Sequence, residues 1–197
     1  MRYDNSVLEY ISGSIHYRLE GSGEPALVLL HGLGAHSGSW RKVMPELGKT
    51  HMVIAPSLPF AGNLSPEKLA ARHVELVRTV LIELNVRRFS IIGNSLGGME
   101  AMMIAVEHGN QVCSVVLEDS AGAHLTELLR KYSSLKIPTL IVWGKGDDII
   151  PAPTGKIFKN MIHSSDLVMI DAGHVPHWET PSEFILHVYR FLNEKGC

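Results

Sequence analysis

Ser95, Asp147 and His174 are the side chains in this sequence whose types and order could do chemistry together. A serine hydroxyl attacks an acyl carbon at neutral pH only with help: a base to take its proton, a carboxylate to orient that base, and N–H donors to hold the oxyanion. Ser95 sits in Gly93-Asn94-Ser95-Leu96-Gly97, between the apolar run Phe89-Ser90-Ile91-Ile92 and the helix-like stretch Gly98 to Ala105. A strand that reverses into a helix so abruptly strains the backbone at the serine, and a Cβ at Gly93 or Gly97 would collide with its neighbours. The turn lifts the hydroxyl clear of the sheet edge and aims the first N–H groups of the helix at whatever the hydroxyl attacks. The alternative for this motif alone is a Gly-rich turn whose serine merely caps the helix.

The elements that must position these residues are legible in outline. Ala26-Leu27-Val28-Leu29-Leu30 is a continuous apolar run, suited to a strand buried on both faces, and it ends in His31-Gly32-Leu33-Gly34. His51 to Ala55, Val112 to Leu117, Pro138 to Trp143 and Asp166 to Ile170 read as further strands. Ser65-Pro66 supplies an N-cap and a first-turn proline to a long amphipathic helix carrying Leu69, His73, Leu76, Val77, Val80, Leu81 and Leu84. Other helices are expected over Ser39 to Leu47 (with Pro45 near its end or kinking it), Ala123 to Tyr132, Thr154 to Ile162 and Pro181 to Leu192. The helix after Ser95 is expected to close on Gly109 as a left-handed cap. Residues 7–20 alternate loosely and predict one or two edge strands. Strands alternating with helices predict an α/β fold: a mostly parallel twisted sheet with helices on both faces and function on the loops at the strands' C-terminal ends.

Composition narrows the function classes. The 197 residues are 45% hydrophobic and 19% charged, enough for one domain with a substantial core. A net charge of −2 without a Lys/Arg stripe argues against nucleic acid or an anionic membrane as the main partner. The N-terminal residues lack the apolar core of a signal peptide and no run is long enough to span a bilayer, so a cytoplasmic location is the expectation. Cys113 and Cys197 are not expected to form a disulfide, and nothing marks either as catalytic.

The joint pattern resembles the α/β-hydrolase superfamily, in its esterase and C–C hydrolase branch. His31-Gly32-Leu33-Gly34, Gly93-Asn94-Ser95-Leu96-Gly97-Gly98, Trp143-Gly144-Lys145-Gly146-Asp147 with Pro151, and Gly173-His174-Val175-Pro176 with Glu179 and Pro181 carry the resemblance. It implies Ser95 as nucleophile, His174 as general base and then acid, Asp147 as its orienting partner, and the backbone N–H groups of Leu33 and Leu96 as the oxyanion hole. The order Ser, Asp, His agrees with that family. Asp119 is the competing acid, since some hydrolases place it after the preceding strand; Asp148 is excluded by the spacing from Trp143. His31 reads as a support for the oxyanion loop rather than a proton carrier. A metal site from His177, Asp171 and Glu179 lacks any paired His or Cys motif, and no metal or cofactor is expected.

Two departures shape the expected activity. The branch usually inserts a lid of several helices after the strand ending near Asp119, whereas here residues 120–137 leave room for one helix, a reduced remnant of that cap within a single 1–197 domain. The branch also places an aspartate at Ser57 and a glycine at Phe60. The expectation is an open site, with Leu58, Phe60 and the 120–134 segment shaping the pocket. That favours small or short-chain acyl esters in a carboxylesterase. C–C hydrolysis of vinylogous diketones is the alternative within enzymes, and a non-catalytic ligand-binding protein on the same fold is the alternative outside them. The open face would leave apolar surface that a second subunit is a candidate to cover, forming a homodimer.

Overall fold

The computed structural model describes residues 8–12 and 15–196. Eight strands form one sheet: β1 (Leu8–Ser12), β2 (Ile15–Glu20), β3 (Ala26–Leu30), β4 (Val53–Ser57), β5 (Phe89–Asn94), β6 (Val112–Glu118), β7 (Thr139–Gly144) and β8 (Ser165–Ile170). Their order across the sheet is β1-β2-β4-β3-β5-β6-β7-β8. The β1–β2 and β2–β4 pairs are antiparallel, and every pairing from β4 through β8 is parallel. The strand expectation for 7–20 resolves into two strands; its first residue lies outside the described residues.

The helices are α1 (Met44–Leu47), α2 (Pro66–Glu83), α3 (Leu96–His108), α4 (Thr126–Ser134), α5 (Pro153–Met161), α6 (Pro176–Glu179) and α7 (Pro181–Lys195). β3, β5, β6 and β7 are buried along their whole length, because both sheet faces are covered. One face packs Val74, Ala101, Leu129 and Phe158, from α2 to α5, against Val28, Ile91, Val115 and Ile141. The other packs Met44, Leu47, Phe184 and Val188, from α1 and α7, against Leu29, Ile92, Val116 and Val142. Burying the polar Ser90 and Ser114 between strands is tolerated because their hydroxyls bond each other at 2.8 Å.

Local readings needed correction at four points. The helix expected over Ser39 to Leu47 splits into a 3-10 turn (Ser37–Lys42) and α1; of the two places open to Pro45, near the end or at an interruption, it takes the second, in the first turn of α1 just after the break. Proline is harmless there because first-turn N–H groups have no helical partner. Gly109 has φ −52°, right-handed, so it is not a left-handed cap. α6 was not anticipated, although Pro176 sits in its first turn as Pro181 does in that of α7. Cys113 is disulfide-bonded, against the expectation of none; Cys197, the other cysteine in the sequence, lies outside the described residues. The chain between β6 and β7 holds the single nine-residue helix α4. No described helix is long and apolar enough to cross a membrane.

Candidate active site

Ser95 stands between β5 and α3 with φ 54° and ψ −117°, a conformation that L-residues avoid. Holding a serine there costs on the order of 1–3 kcal/mol, so the surroundings must over-determine it. They do so from both sides. Ser95 N–H donates to Glu118 O at 2.9 Å, while Ser95 O accepts from Gly98 N–H at 3.0 Å and Ala121 N–H at 2.9 Å. A Cβ on Gly93 would strike the backbone of Gly97, and one on Gly97 would strike the backbone of Leu30. The turn can therefore close only with glycine at both positions.

Asp147 and His174 come from the loops after β7 and β8, and the structure joins them: His174 Nδ1 lies 2.8 Å from Asp147 Oδ2. Since the carboxylate only accepts, Nδ1 carries the proton and Nε2 is left free to accept one. Asp147 Oδ1 is held by the N–H groups of Ile149 and Ile150, both at 2.9 Å. The Trp143 indole N–H closes the same loop on Ile150 O at 3.1 Å. Burial alone would raise the Asp147 carboxyl, but the hydrogen bonds from His174, Ile150 and Ile149, with the neighbouring Asp119 carboxyl, outweigh it and hold it below the usual value.

The loop that carries His174 is braced on every side. Glu179 accepts from Gly173 N–H at 2.7 Å and Val175 N–H at 3.0 Å, the two neighbours of His174. Asn94 Nδ2, one residue before Ser95, donates to His174 O at 2.9 Å. Glu118 takes His177 N–H on one oxygen and His177 Nδ1–H on the other, both at 2.6 Å. The His177 ring in turn stacks on Trp40 with centroids 3.7 Å apart. Among the described residues no hydrogen bond joins Ser95 Oγ to His174; such contacts are often long before substrate arrives.

On the other flank, His31 is neutral by construction. Its Nε2 accepts from Leu58 N–H at 2.8 Å, so its proton is on Nδ1, which lies 2.8 Å from Gly32 O. Burial lowers its pKa to about 4. A neutral ring in this position pins the Gly32–Leu33 turn to the loop after β4. Among the described residues, neither Leu33 N–H nor Leu96 N–H donates a hydrogen bond to the protein. Ser57, where an aspartate is usual, pairs instead with Ser37: Ser37 N–H donates to its Oγ at 3.2 Å and the two hydroxyls lie 2.8 Å apart.

The two pocket residues are placed differently. Leu58 packs into the core at 5% exposure, whereas Phe60 stands 64% exposed. Leu33 at 54% and Ile149 at 67% are the other exposed apolar side chains on loops at the same sheet edge. The loop bearing Phe60 is tied down through Pro59 O, 2.9 Å from His73 Nε2, while His73 Nδ1 lies 2.6 Å from Glu100 Oε1. Burial raises Glu100 to about 7 despite His73, and the bond to Glu100 raises His73 despite burial.

Residues considered together as metal ligands are dispersed: His177 is on Glu118, Glu179 on two backbone N–H groups, and Asp171 on Lys145 Nζ at 3.2 Å. Asp119, Asp147 and His174 bring one ligand-type atom each within 4.8 Å of one another. Asp119 Oδ1 accepts from Gly144 N–H at 2.9 Å, so Asp119 faces the acid loop but is not the partner of His174. Asn94, Glu118, His177, His73 and Glu100 were missed as functional supports. The sequence signal for Asn94, Glu118 and His177 was adjacency to motif residues; the pairings themselves link distant positions.

Residues 25–133 match the family model described as the alpha/beta hydrolase fold. The chain belongs to this family. It is 35% identical over 122 residues to a 2-hydroxymuconate semialdehyde hydrolase of Pseudomonas sp., covering 58% of this chain and 43% of that protein. It is 27% identical over 124 residues to a strigolactone esterase of Pisum sativum, covering 59% of this chain and 46% of that protein. The chain thus spans under half the length of these curated relatives. A CIB-like hydrolase from Thermoplasma acidophilum shares the α/β-hydrolase fold, with a TM-score of 0.83 at 24% identity over 95% of this chain and 98% of that one.

Proposed function

We propose that this α/β-hydrolase is a serine carboxylesterase acting on small or short-chain acyl esters. The observation that carries the reading is the bond between His174 Nδ1 and Asp147, set beside a serine on a strained strand-to-helix turn. Ser95 Oγ attacks the ester carbonyl carbon and His174 Nε2 takes its proton. The oxyanion is held by the N–H groups of Leu33 and Leu96; losing one such donor typically costs about a hundred- to a thousand-fold in rate. Collapse of the tetrahedral adduct breaks the bond to the alcohol oxygen, which leaves with the proton from His174. Water then gives a proton to the same nitrogen, attacks the acyl-serine, and returns the acid and free Ser95.

The short-chain preference rests on what covers Ser95. With α4 alone between β6 and β7, Leu33, Phe60 and Ile149 stand exposed on the loops that follow β3, β4 and β7. A groove of about 420 Å³ is lined by Met103, Leu125 and Leu128 together with Glu67, His124, Thr126 and Glu127; its three apolar residues pack on the cluster containing Leu96 and Met99. An open site excludes water poorly and grips a long chain weakly. The second reading, C–C bond hydrolysis, is favoured by the 35% identity to 2-hydroxymuconate semialdehyde hydrolase.

The test is turnover of p-nitrophenyl esters of increasing acyl length, with Ser95→Ala as control. Activity is expected to peak at acetate or butyrate and to vanish in Ser95→Ala. Turnover that survives the substitution sinks the serine mechanism, and cleavage of a vinylogous diketone in preference to esters moves the chain to the second reading.

A further inference from the structure

Asp119 is buried, lies next to the proposed acid, and is not used by the reaction as written above. Its backbone takes φ 43° where β6 ends, and its N–H donates to Val142 O at 3.1 Å. That turns its carboxyl from the strand toward the loop after β7. Oδ1 is satisfied by Gly144 N–H, but Oδ2 is fully buried and meets no donor among the described residues. On the Asp147 side, Oδ1 has two N–H donors and Oδ2 has His174. Two ionised carboxylates cannot bond each other, so an ionised Asp119 would leave Oδ2 both charged and unpartnered. A protonated Oδ2 becomes a donor, and the neighbouring acceptor is the Asp147 carboxylate, which has an oxygen within 4.8 Å of an Asp119 oxygen.

We propose that Asp119 is a positioning residue that keeps a proton on Oδ2 and donates it to Asp147, so that the two carboxyls present one negative charge to His174. The proposal rests on the assignment of Asp147 and His174 as acid and base. Its consequence is electrostatic. A second negative charge beside His174 would favour the imidazolium over the neutral ring that must accept the serine proton. It would also push Asp147 out of its N–H cradle. The charged groups facing Asp119 are Asp147 and His174 on the loops after β7 and β8, and its chain neighbour Glu118 with His177 as that residue's partner. Burial, then the charge of Glu118 and the contact with Asp147, raise the Asp119 carboxyl to about 9.

The experiment uses the whole protein and two substitutions. Asp119→Asn keeps an N–H donor for Asp147 and an oxygen for Gly144 but cannot titrate; Asp119→Ala keeps neither. Infrared difference spectra, titrated from neutral to strongly alkaline pH, are expected to show a protonated carboxyl that disappears near pH 9 and is missing in Asp119→Asn. This readout needs no turnover, so it stands even if the esterase assignment fails. With p-nitrophenyl acetate, Asp119→Ala is expected to lose about tenfold or more in kcat, the size of one hydrogen bond to a charged group. Asp119→Asn should recover most of that loss and lack the fall in kcat/KM expected of the parent near pH 9. The proposal is overturned if no protonated carboxyl at neutral pH is removed by Asp119→Asn. It is equally overturned if the two pH profiles superimpose, or if Asp119→Asn is as damaging as Asp147→Asn.

Discussion

Two buried histidine–glutamate pairs flank Ser95, alike in composition and in their 2.6 Å contacts but different in what each leaves unsatisfied. In the Glu118–His177 pair both carboxylate oxygens are used, one by a backbone N–H and one by the ring, and the orphan is His177 Nε2. In the Glu100–His73 pair both ring nitrogens are used, and the orphan is Glu100 Oε2. The first pair therefore grips a main chain through the glutamate, on the loop that carries His174. The second grips a main chain through the histidine, on the loop that carries Phe60. One side holds the loop of the proposed base; the other holds the loop of Phe60, the proposed pocket residue.

That division predicts separable kinetics. Glu118→Ala strands two buried donors on His177, at about 1–3 kcal/mol each, and loosens the loop on which His174 stands. Its main kinetic effect is expected in kcat. Glu100→Ala should destabilise the fold by a similar route but act on the Pro59–Phe60 loop, raising KM with a smaller change in kcat. Thermal unfolding and p-nitrophenyl acetate kinetics on both variants check this. A Glu100→Ala variant that loses as much kcat as Glu118→Ala would break the comparison.

The sequence made the two flanks unequally legible. Ser95, Asp147 and His174 stand out as candidates because each lies in a short motif whose chemistry demands particular neighbours, and the buried strands could be found from continuous apolar runs such as Ala26–Leu30. The supports were hidden because they join residues far apart in the chain. Glu118 and His177 are 59 positions apart, His73 and Glu100 are 27 apart, and neither pair shares an element. Glu118 lies beside Asp119 at the end of its strand, but that adjacency does not name His177 as its partner. Periodicity located the α2 face carrying His73 but gave no reason to pair it. Backbone details such as the right-handed Gly109 and the α1 break depended on packing that no local window contains.

His31 sharpens the comparison from the oxyanion side, because it supports a loop by staying neutral. Its pKa of about 4 lies below the value near 6.5 expected in the unfolded chain. The unfolded state therefore binds more protons in that interval, and the stability that depends on neutral His31 is lost as pH falls from about 6.5 through 4. A displacement of this size is worth about 3 kcal/mol. Protonated Nε2 can no longer accept from Leu58 N–H, so ester turnover should decline with stability on the acid side. Urea unfolding of the parent and of His31→Gln as a function of pH is the check. An equally steep acid slope in His31→Gln would assign the loss to other groups.

The last effect is of the opposite sign and belongs to the Glu100–His73 pair. Glu100 is raised from 4.5 to about 7, and His73 is raised above its unfolded 6.5. Both shifts mean that the folded state holds more protons than the unfolded chain over this range. Stability from the pair is present at low pH and is lost as pH rises from about 4.5 through 7 and on through the titration of His73. Glu100→Gln removes one titrating partner while keeping an acceptor for His73, so its stability should vary less with pH than that of the parent between mildly acidic and mildly alkaline buffer. Parallel curves would mean that the proton in this pair is not held differently by the fold, and that the rim loop is anchored by geometry alone. A flatter curve in Glu100→Gln, with KM drifting upward in the parent over the same window, would tie the rim beside Ser95 to a buried proton. No comparable drift is expected in the Glu118→Ala background, where the damage is to the base loop.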